Sequence, residues 1–480
     1  MWKKFIHESE AHKRVNDDYV RNAAPQSSFT TGNKTHRVVV WIFGVIGIIA
    51  VIAAVTVGAF HWVLSTEYTV SAHSEKFENL RLQHAVVAIP LHNPQTSLIP
   101  NGNAFMSIVY EDGSFKLHKV SNIEGQTPIW NTEALHYTDS RDSYFIPVNA
   151  GKPTVNSIEK VQRQNFAFSL ANSGFVDLYD ESMMKHRGKT TYKILSTTAK
   201  GESKQQTIQF SESLFIKTCS TCGNQAYAIA QTDKHEVVLY RMVNEANVGL
   251  NEVSRHHEKD MVGEQLYQGE NESTGVIDAA YSPRCNNGVI TFLYSYGPSS
   301  ARTKDMAVEH SDSADDVKAI QEHFLVRWDV KTGKITTIPL KNSKGQVLYG
   351  PTTVSYEIAG YINAQAYDEK LLHIVDTENG RVFTLDTQTG VLRRLLDKTT
   401  RQESSAGVNY RLLVGNHEIV RIPSIIDTSD LKDFVIERFD RKTGKLLKKI
   451  KVNKDFLYLT AQKNTNLYPG IPAVNPKWLQ

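Results

Sequence analysis

Two hydrophobic patterns divide the chain. From Val38 to Leu64, 27 consecutive residues carry no Asp, Glu, Lys or Arg. Beyond residue 84 the apolar positions fall instead into short β-type runs broken by polar turns. An apolar run of about 18 residues or more is long enough to cross a bilayer as a helix, and the longer run here spans with some tilt. A cleaved signal peptide would have a shorter apolar core much nearer Met1. The pattern therefore predicts a tail over 1–37, one transmembrane helix over 38–64, a linker over 65–83 and a large domain over 84–480.

That domain reads as all-β. Leu371 to Val375 is a short apolar run followed by a turn that ends in Asn379-Gly380. Val382 to Leu385 and Val391 to Leu396 then flank a second turn, Asp386 to Gly390. Asn-Gly, and Gly after polar residues, supply the positive φ angles that tight hairpins need. The second turn recurs as Asp329-Val330-Lys331-Thr332-Gly333, Asp386-Thr387-Gln388-Thr389-Gly390 and Asp440-Arg441-Lys442-Thr443-Gly444. The Asp positions lie 57 and then 54 residues apart. A meander repeating at that interval is the mark of propeller blades.

Weaker copies of the strand before this turn are Phe175 to Asp180, Val237 to Arg241 and Phe115 to His118. The expectation is a six- or seven-bladed β-propeller, closed by Phe456 to Thr460 against the earliest strand near Ala85 to Ile89. The three Asp-x-x-Thr-Gly turns resemble those of quinoprotein-type, or pyrroloquinoline-quinone-like, propeller repeats. That repeat carries a tryptophan four residues after its Gly; Thr337, Arg394 and Lys448 stand there instead. The resemblance implies the fold. Many such repeats belong to non-enzymatic scaffolds, and no cofactor is expected.

Charge sets the orientation. The tail holds seven basic and four acidic residues out of 54 and 51 in the chain, which leaves 47 of each beyond it. Positive flanks stay on the cytoplasmic side, so the tail is expected on the cytoplasmic side of the cell membrane and the propeller on the extracytoplasmic side. A neutral remainder lacking basic clusters with interleaved aromatics argues against nucleic acid. Ala50, Ala54 and Gly58 share one helix face, which leaves room for a homo-oligomeric helix contact.

Candidate chemistry is sparse. Cys219, Cys222 and Cys285 are the three cysteines; on the oxidising side of a membrane they predict one structural disulfide, with the pairing open. Two polar segments interrupt the blades. Asn251 to Thr274 contains His256, His257, Glu258 and Asp260; Ser299 to Gln321 contains Asp312, Asp315 and Asp316. Loops on a rigid scaffold are where binding concentrates, so these are the candidate binding loops, and Asp316 to His323 is compatible with a helical turn or two. No histidine pair has zinc-protease spacing, and no nucleophile elbow or phosphate loop occurs. The expected function is a membrane-anchored binding or scaffold module that docks other membrane or envelope proteins. The alternative is an enzyme with its site at the channel mouth.

Overall fold

The computed structural model describes residues 69–92, 104–121, 127–149, 151–161, 163–170, 174–181, 190–198, 200–243, 248–263, 273–278, 284–298, 320–351, 356–358, 360–361, 371–376, 381–396, 408–415, 417–425, 433–460 and 467–479. The expected transmembrane stretch 38–64 lies outside them. Among the described residues no helix is long and apolar enough to cross a membrane.

The described strands build a seven-bladed propeller, one sheet per blade. Blade 1 holds Ala85–His92, Ala104–Tyr110 and Phe115–Val120; blade 2 holds Ile129–Trp130, Ala134–Thr138, Asp142–Pro147 and Thr154–Ser157. Blade 3 holds Arg163–Ser169, Phe175–Asp180, Thr191–Thr197 and Ser203–Gln209. Blade 4 runs through Leu214–Cys222, Gln225–Thr232, Glu236–Val243 and Val248–His257. Blade 5 runs through Ser273–Asp278, Val289–Pro298, Ile320–Asp329 and Ile335–Pro339, with Arg284–Asn286 pairing beside Val289–Pro298 off this path. Tyr356–Ile358, Leu371–Asp376, Arg381–Asp386 and Leu392–Leu396 form blade 6; Val408–Val414, Glu418–Ile425, Val435–Asp440 and Leu446–Lys451 form blade 7. First strands of neighbouring blades touch, as Leu214–Cys222 does Arg163–Ser169 and Ser273–Asp278, whereas last strands such as Ser203–Gln209 are largely exposed. The first strands therefore line the centre.

Alternation along each strand glues one blade to the next. In Ala134–Thr138, Leu135 and Tyr137 pack with Met106 and Ile108 of blade 1. The intervening His136 and Thr138 meet Asp177 and Tyr179 of blade 3. Both faces of a strand with period two are thus buried.

The ring is closed by the C-terminus. Tyr468–Pro469 and Ala473–Val474 pair antiparallel with Ala85–His92, so blade 1 takes its first strand from the far end of the chain. Phe456 to Thr460, expected to be that closing strand, belongs instead to the helix Lys454–Thr460. A short apolar run does not distinguish the two conformations, and Phe456 and Leu459, three apart, present one helical face to the core shared with Val87 and Val474. Asn475 locks the closure: its Nδ2 donates to Ala85 O at 2.8 Å and its backbone N–H to Val86 O at 2.8 Å. Trp478, 6% exposed, lies beneath Arg438 at 4.3 Å and Lys448 at 5.3 Å.

All three Asp-x-x-Thr-Gly turns join the third strand to the fourth, in blades 5, 6 and 7. Each Asp accepts backbone N–H groups of its own turn, such as Lys331 and Thr332 on Asp329 at 2.8 and 2.9 Å. Those bonds hold the Asp329 carboxyl below its usual range. Gly333, Gly390 and Gly444 take φ of 70°, 71° and 67°, the left-handed region that only Gly enters freely. Val237 to Arg241 occupies the equivalent third strand of blade 4. Phe175 to Asp180 is a second strand and Phe115 to His118 a last strand, because alternation alone looks the same in any strand of a blade.

Residues 69–83, read from sequence as linker, pack on this disc. His73 stacks on Phe115 with ring centroids 4.0 Å apart, and its Nε2 meets Asp455 Oδ2 at 3.1 Å. Leu80 and Leu82 are buried against blades 1 and 2.

Replacing Trp478 with Ala should cost about 3–5 kcal/mol, read as a lower denaturation midpoint of the full chain in detergent; an unchanged midpoint would contradict closure through the C-terminus. Burial also pushes the imidazoles of His118 and His323 down from 6.5 to about 4. Below the ordinary value the unfolded chain takes up protons that these folded histidines refuse. Their contribution is complete above pH 6.5 and is lost as pH falls toward 4. Stability curves should slope across that window, with a shallower slope in His118→Phe.

Candidate functional site

Four of the sequence-selected residues converge at the seam between blades 4 and 5. Val248–His257 is not a free excursion: it pairs with Glu236–Val243 as the last strand of blade 4 and leads into the short helix Glu258–Val262. His257 caps this helix, its Nδ1 accepting from Lys259 N at 3.2 Å while Asp260 Oδ2 accepts from His257 N at 3.1 Å. That reciprocal arrangement satisfies two backbone donors locally. His257 and Asp260 are therefore committed to the helix start.

Glu258 turns inward and is 3% exposed. Gln231 Nε2 donates to its Oε1 at 3.0 Å, and His235 Nδ1 lies 3.2 Å from its Oε2. His235 occupies the turn before the third strand with φ of 56°, uncommon for a residue with a Cβ. The same Gln231 Nε2 reaches Gly275 O of blade 5 at 2.8 Å. His256 Nε2 donates to Gly333 O at 2.7 Å and stands edge-on to Trp328, with centroids 5.3 Å apart. Trp328 Nε1 in turn donates to Ser254 Oγ at 2.9 Å.

The disulfide belongs to this seam. Cys222, at the end of blade 4's first strand, is bonded to Cys285 of blade 5 across a Cα separation of 5.3 Å. Cys219 is a buried free thiol whose pKa is pushed up by burial. A fully protonated, inaccessible thiol is a poor nucleophile. Its Sγ sits 3.8 Å from Met242 Sδ, within a core shared by blades 3 and 4.

Asp312, Asp315 and Asp316 fall within 299–319, outside the described residues. The flanking strands Val289–Pro298 and Ile320–Asp329 pair with each other, so the insertion leaves blade 5 between its second and third strands. Residues 320–323, expected within a helical turn, are extended and paired, 322–323 with Val289–Pro298 and 320–322 with Tyr349–Pro351.

One polar cluster escaped sequence reasoning. His136 Nε2 and Asp177 Oδ2 lie 2.8 Å apart across blades 2 and 3, both fully buried. Gln164 Nε2 donates to the other Asp177 oxygen at 2.8 Å and to Thr138 Oγ1 at 3.0 Å. Tyr179 OH donates to the same Thr138 oxygen at 2.7 Å. The available signal was His136 between Leu135 and Tyr137, and Asp177 between Val176 and Leu178, each a polar residue flanked by large apolar ones. With no solvent access, this His–carboxylate pair orders the seam and has no route to a substrate. Among the described residues no group of three or more His, Cys, Asp or Glu is arranged to hold a metal ion.

No family model matches the chain, and no curated protein matches it. Solved structures similar to it include the Pseudomonas brassicacearum lignostilbene dioxygenase, at TM-score 0.43 and 8% identity over 83% of this chain and 93% of that one. Apo AztD from Citrobacter koseri aligns at TM-score 0.39 and 10% identity over 81% and 98% of the two chains. The Neurospora crassa Pan2 WD40 domain aligns at TM-score 0.36 and 11% identity over 72% and 83%. Likenesses this distant carry no argument about activity.

Peptide mapping of the non-reduced protein should recover a Cys222–Cys285 peptide, with Cys219 alkylated only after unfolding. The bridge closes a loop of 63 residues, for which chain entropy gives about 4 kcal/mol. Cys285→Ser should therefore lower stability by up to that amount, and an unchanged denaturation midpoint would argue against the bridge.

Proposed function

We propose that the chain is a single-pass, N-in membrane protein whose extracytoplasmic propeller is a rigid binding or scaffold module for other membrane or envelope proteins, within an envelope complex. The observation that carries this reading is the order of the N-terminal segments. An uncharged stretch long enough to span a bilayer ends at Leu64, and five residues later, from Thr69, the chain is already packed onto the disc. From there His73 is held against Phe115 and Asp455. A disc so tethered meets membrane neighbours at raised effective concentration.

The seams support the same reading. Gln231, Gln164, His136 and Asp177 spend polar atoms on joining neighbouring blades, while Glu258 and His235 spend theirs within blade 4 and its helix. Recognition is then a matter of the disc's faces, rim and insertions, including 299–319.

The full chain should be purified from native membranes in mild detergent and cross-linked for mass spectrometry. The expected result is envelope proteins at fixed stoichiometry, with cross-links to the propeller. A solitary protein carrying bound metal or chromophore would overturn the proposal in favour of an enzyme at the channel mouth.

A further inference from the structure

Blade 7 ends in a surface of unusual composition. From Arg441 to Lys454, seven of 14 residues are Lys or Arg and none is Asp or Glu. The rest of the chain beyond the tail offsets this surplus, since that whole region holds 47 basic and 47 acidic residues. The surplus is displayed on Leu446–Lys451, which pairs on one side with Val435–Asp440 and is exposed at every position except Ile450. Leu446 and Leu447 are 40% and 49% exposed, two of the four exposed large hydrophobics among the described residues.

The lysines are splayed around these leucines. Lys449 and Lys451 reach back to Glu437 at 3.0 Å and Asp433 at 2.8 Å, yet remain 55% and 66% exposed. Lys442 and Lys445 stand exposed on the turn that precedes the strand. This rim also adjoins the place where the chain enters the disc. Two residues past Lys451, Asn453 N donates to Gly113 O at 2.9 Å; Asp455 then receives His73, and Val70 and Leu457 pack on one core.

We infer that this rim docks on the headgroups of an anionic bilayer, its lysines on lipid phosphates and Leu446 and Leu447 at the headgroup–acyl boundary. The inference rests on the membrane anchor proposed above. Exposed leucines flanked by lysines are the composition that binds an interface through apolar burial and charge together. A nucleic-acid groove would interleave stacking aromatics, and this segment has none. Lysines along an edge strand also resist addition of a partner strand. The entry point supplies proximity: the four residues between Leu64 and Thr69 let the chain reach no further than about 20 Å when fully extended.

The test uses the full chain in nanodiscs of phosphatidylcholine alone or with phosphatidylglycerol, read by lysine acetylation and mass spectrometry. Lys448, Lys449 and Lys451 should lose roughly threefold or more of their reactivity in the anionic discs and regain it in high salt, where charge is screened. Lys204, exposed on blade 3, should not change. Charge reversal at Lys442→Glu and Lys445→Glu, both on the exposed turn, should abolish the lipid dependence without altering thermal unfolding. Equal reactivity in the two discs would overturn the inference while leaving the anchor intact. Protection that appears only with a co-purified protein would also overturn it, assigning the rim to that partner. Release of the chain from native membranes by alkaline carbonate would instead refute the anchor.

Discussion

Everything in this fold depends on one pairing between residues nearly 400 positions apart. Each blade buries both faces against its neighbours, so an open ring would leave two blade faces bare. Ala85–His92 finds its inner partner only when Tyr468–Pro469 and Ala473–Val474 arrive. Entropy opposes closing so long a loop, although the cost grows only slowly with length. The gain is a continuous core in which Val87, Val474, Phe456 and Trp478 share contacts. The Asn475 side chain fixes the register of that closure through Ala85 O.

Between blades, polar fasteners supplement apolar packing. A net hydrogen bond contributes about 1 kcal/mol, whereas a buried polar group left unsatisfied costs about 1–3 kcal/mol. The seam networks therefore specify alignment more than they add stability. Gln231 bridges Glu258 and Gly275 O, and Gln164 bridges Asp177 and Thr138; each aligns two neighbouring blades. The disulfide adds a covalent stitch at the blade 4–blade 5 seam, where the His256 and Trp328 bonds also lie.

Legibility in the sequence followed the locality of the physics. The Asp-x-x-Thr-Gly turns were readable because carboxylate, backbone donors and left-handed Gly lie within five residues of one another. Their place between third and fourth strands marks true blade positions in blades 5 to 7. Blade number was less legible, since Phe175 to Asp180 and Phe115 to His118 alternate like any strand while occupying other positions. The closing strand was hidden because two pieces of only two residues each, Tyr468–Pro469 and Ala473–Val474, form it, while the longer apolar run Phe456 to Thr460 turns helical. At the candidate site, the sequence picked out His256, His257, Glu258 and Asp260. His257 and Asp260 cap a helix locally, whereas the duties of His256 and Glu258 depend on Gly333, Gln231 and His235, which only folding brings close.

The exposed surface carries what the seams do not use, above all the leucine–lysine rim of blade 7. That rim and the uncharged stretch at 38–64 are what support the proposed placement of the disc beside a membrane. The most direct test of that account is topology, measured with a membrane-impermeant lysine reagent on intact cells. The account predicts labelling at Lys204 of the propeller, with Lys3, Lys4 and Lys13 of the tail labelled only after permeabilisation. Labelling of the tail before permeabilisation, or a propeller that stays protected, would contradict it.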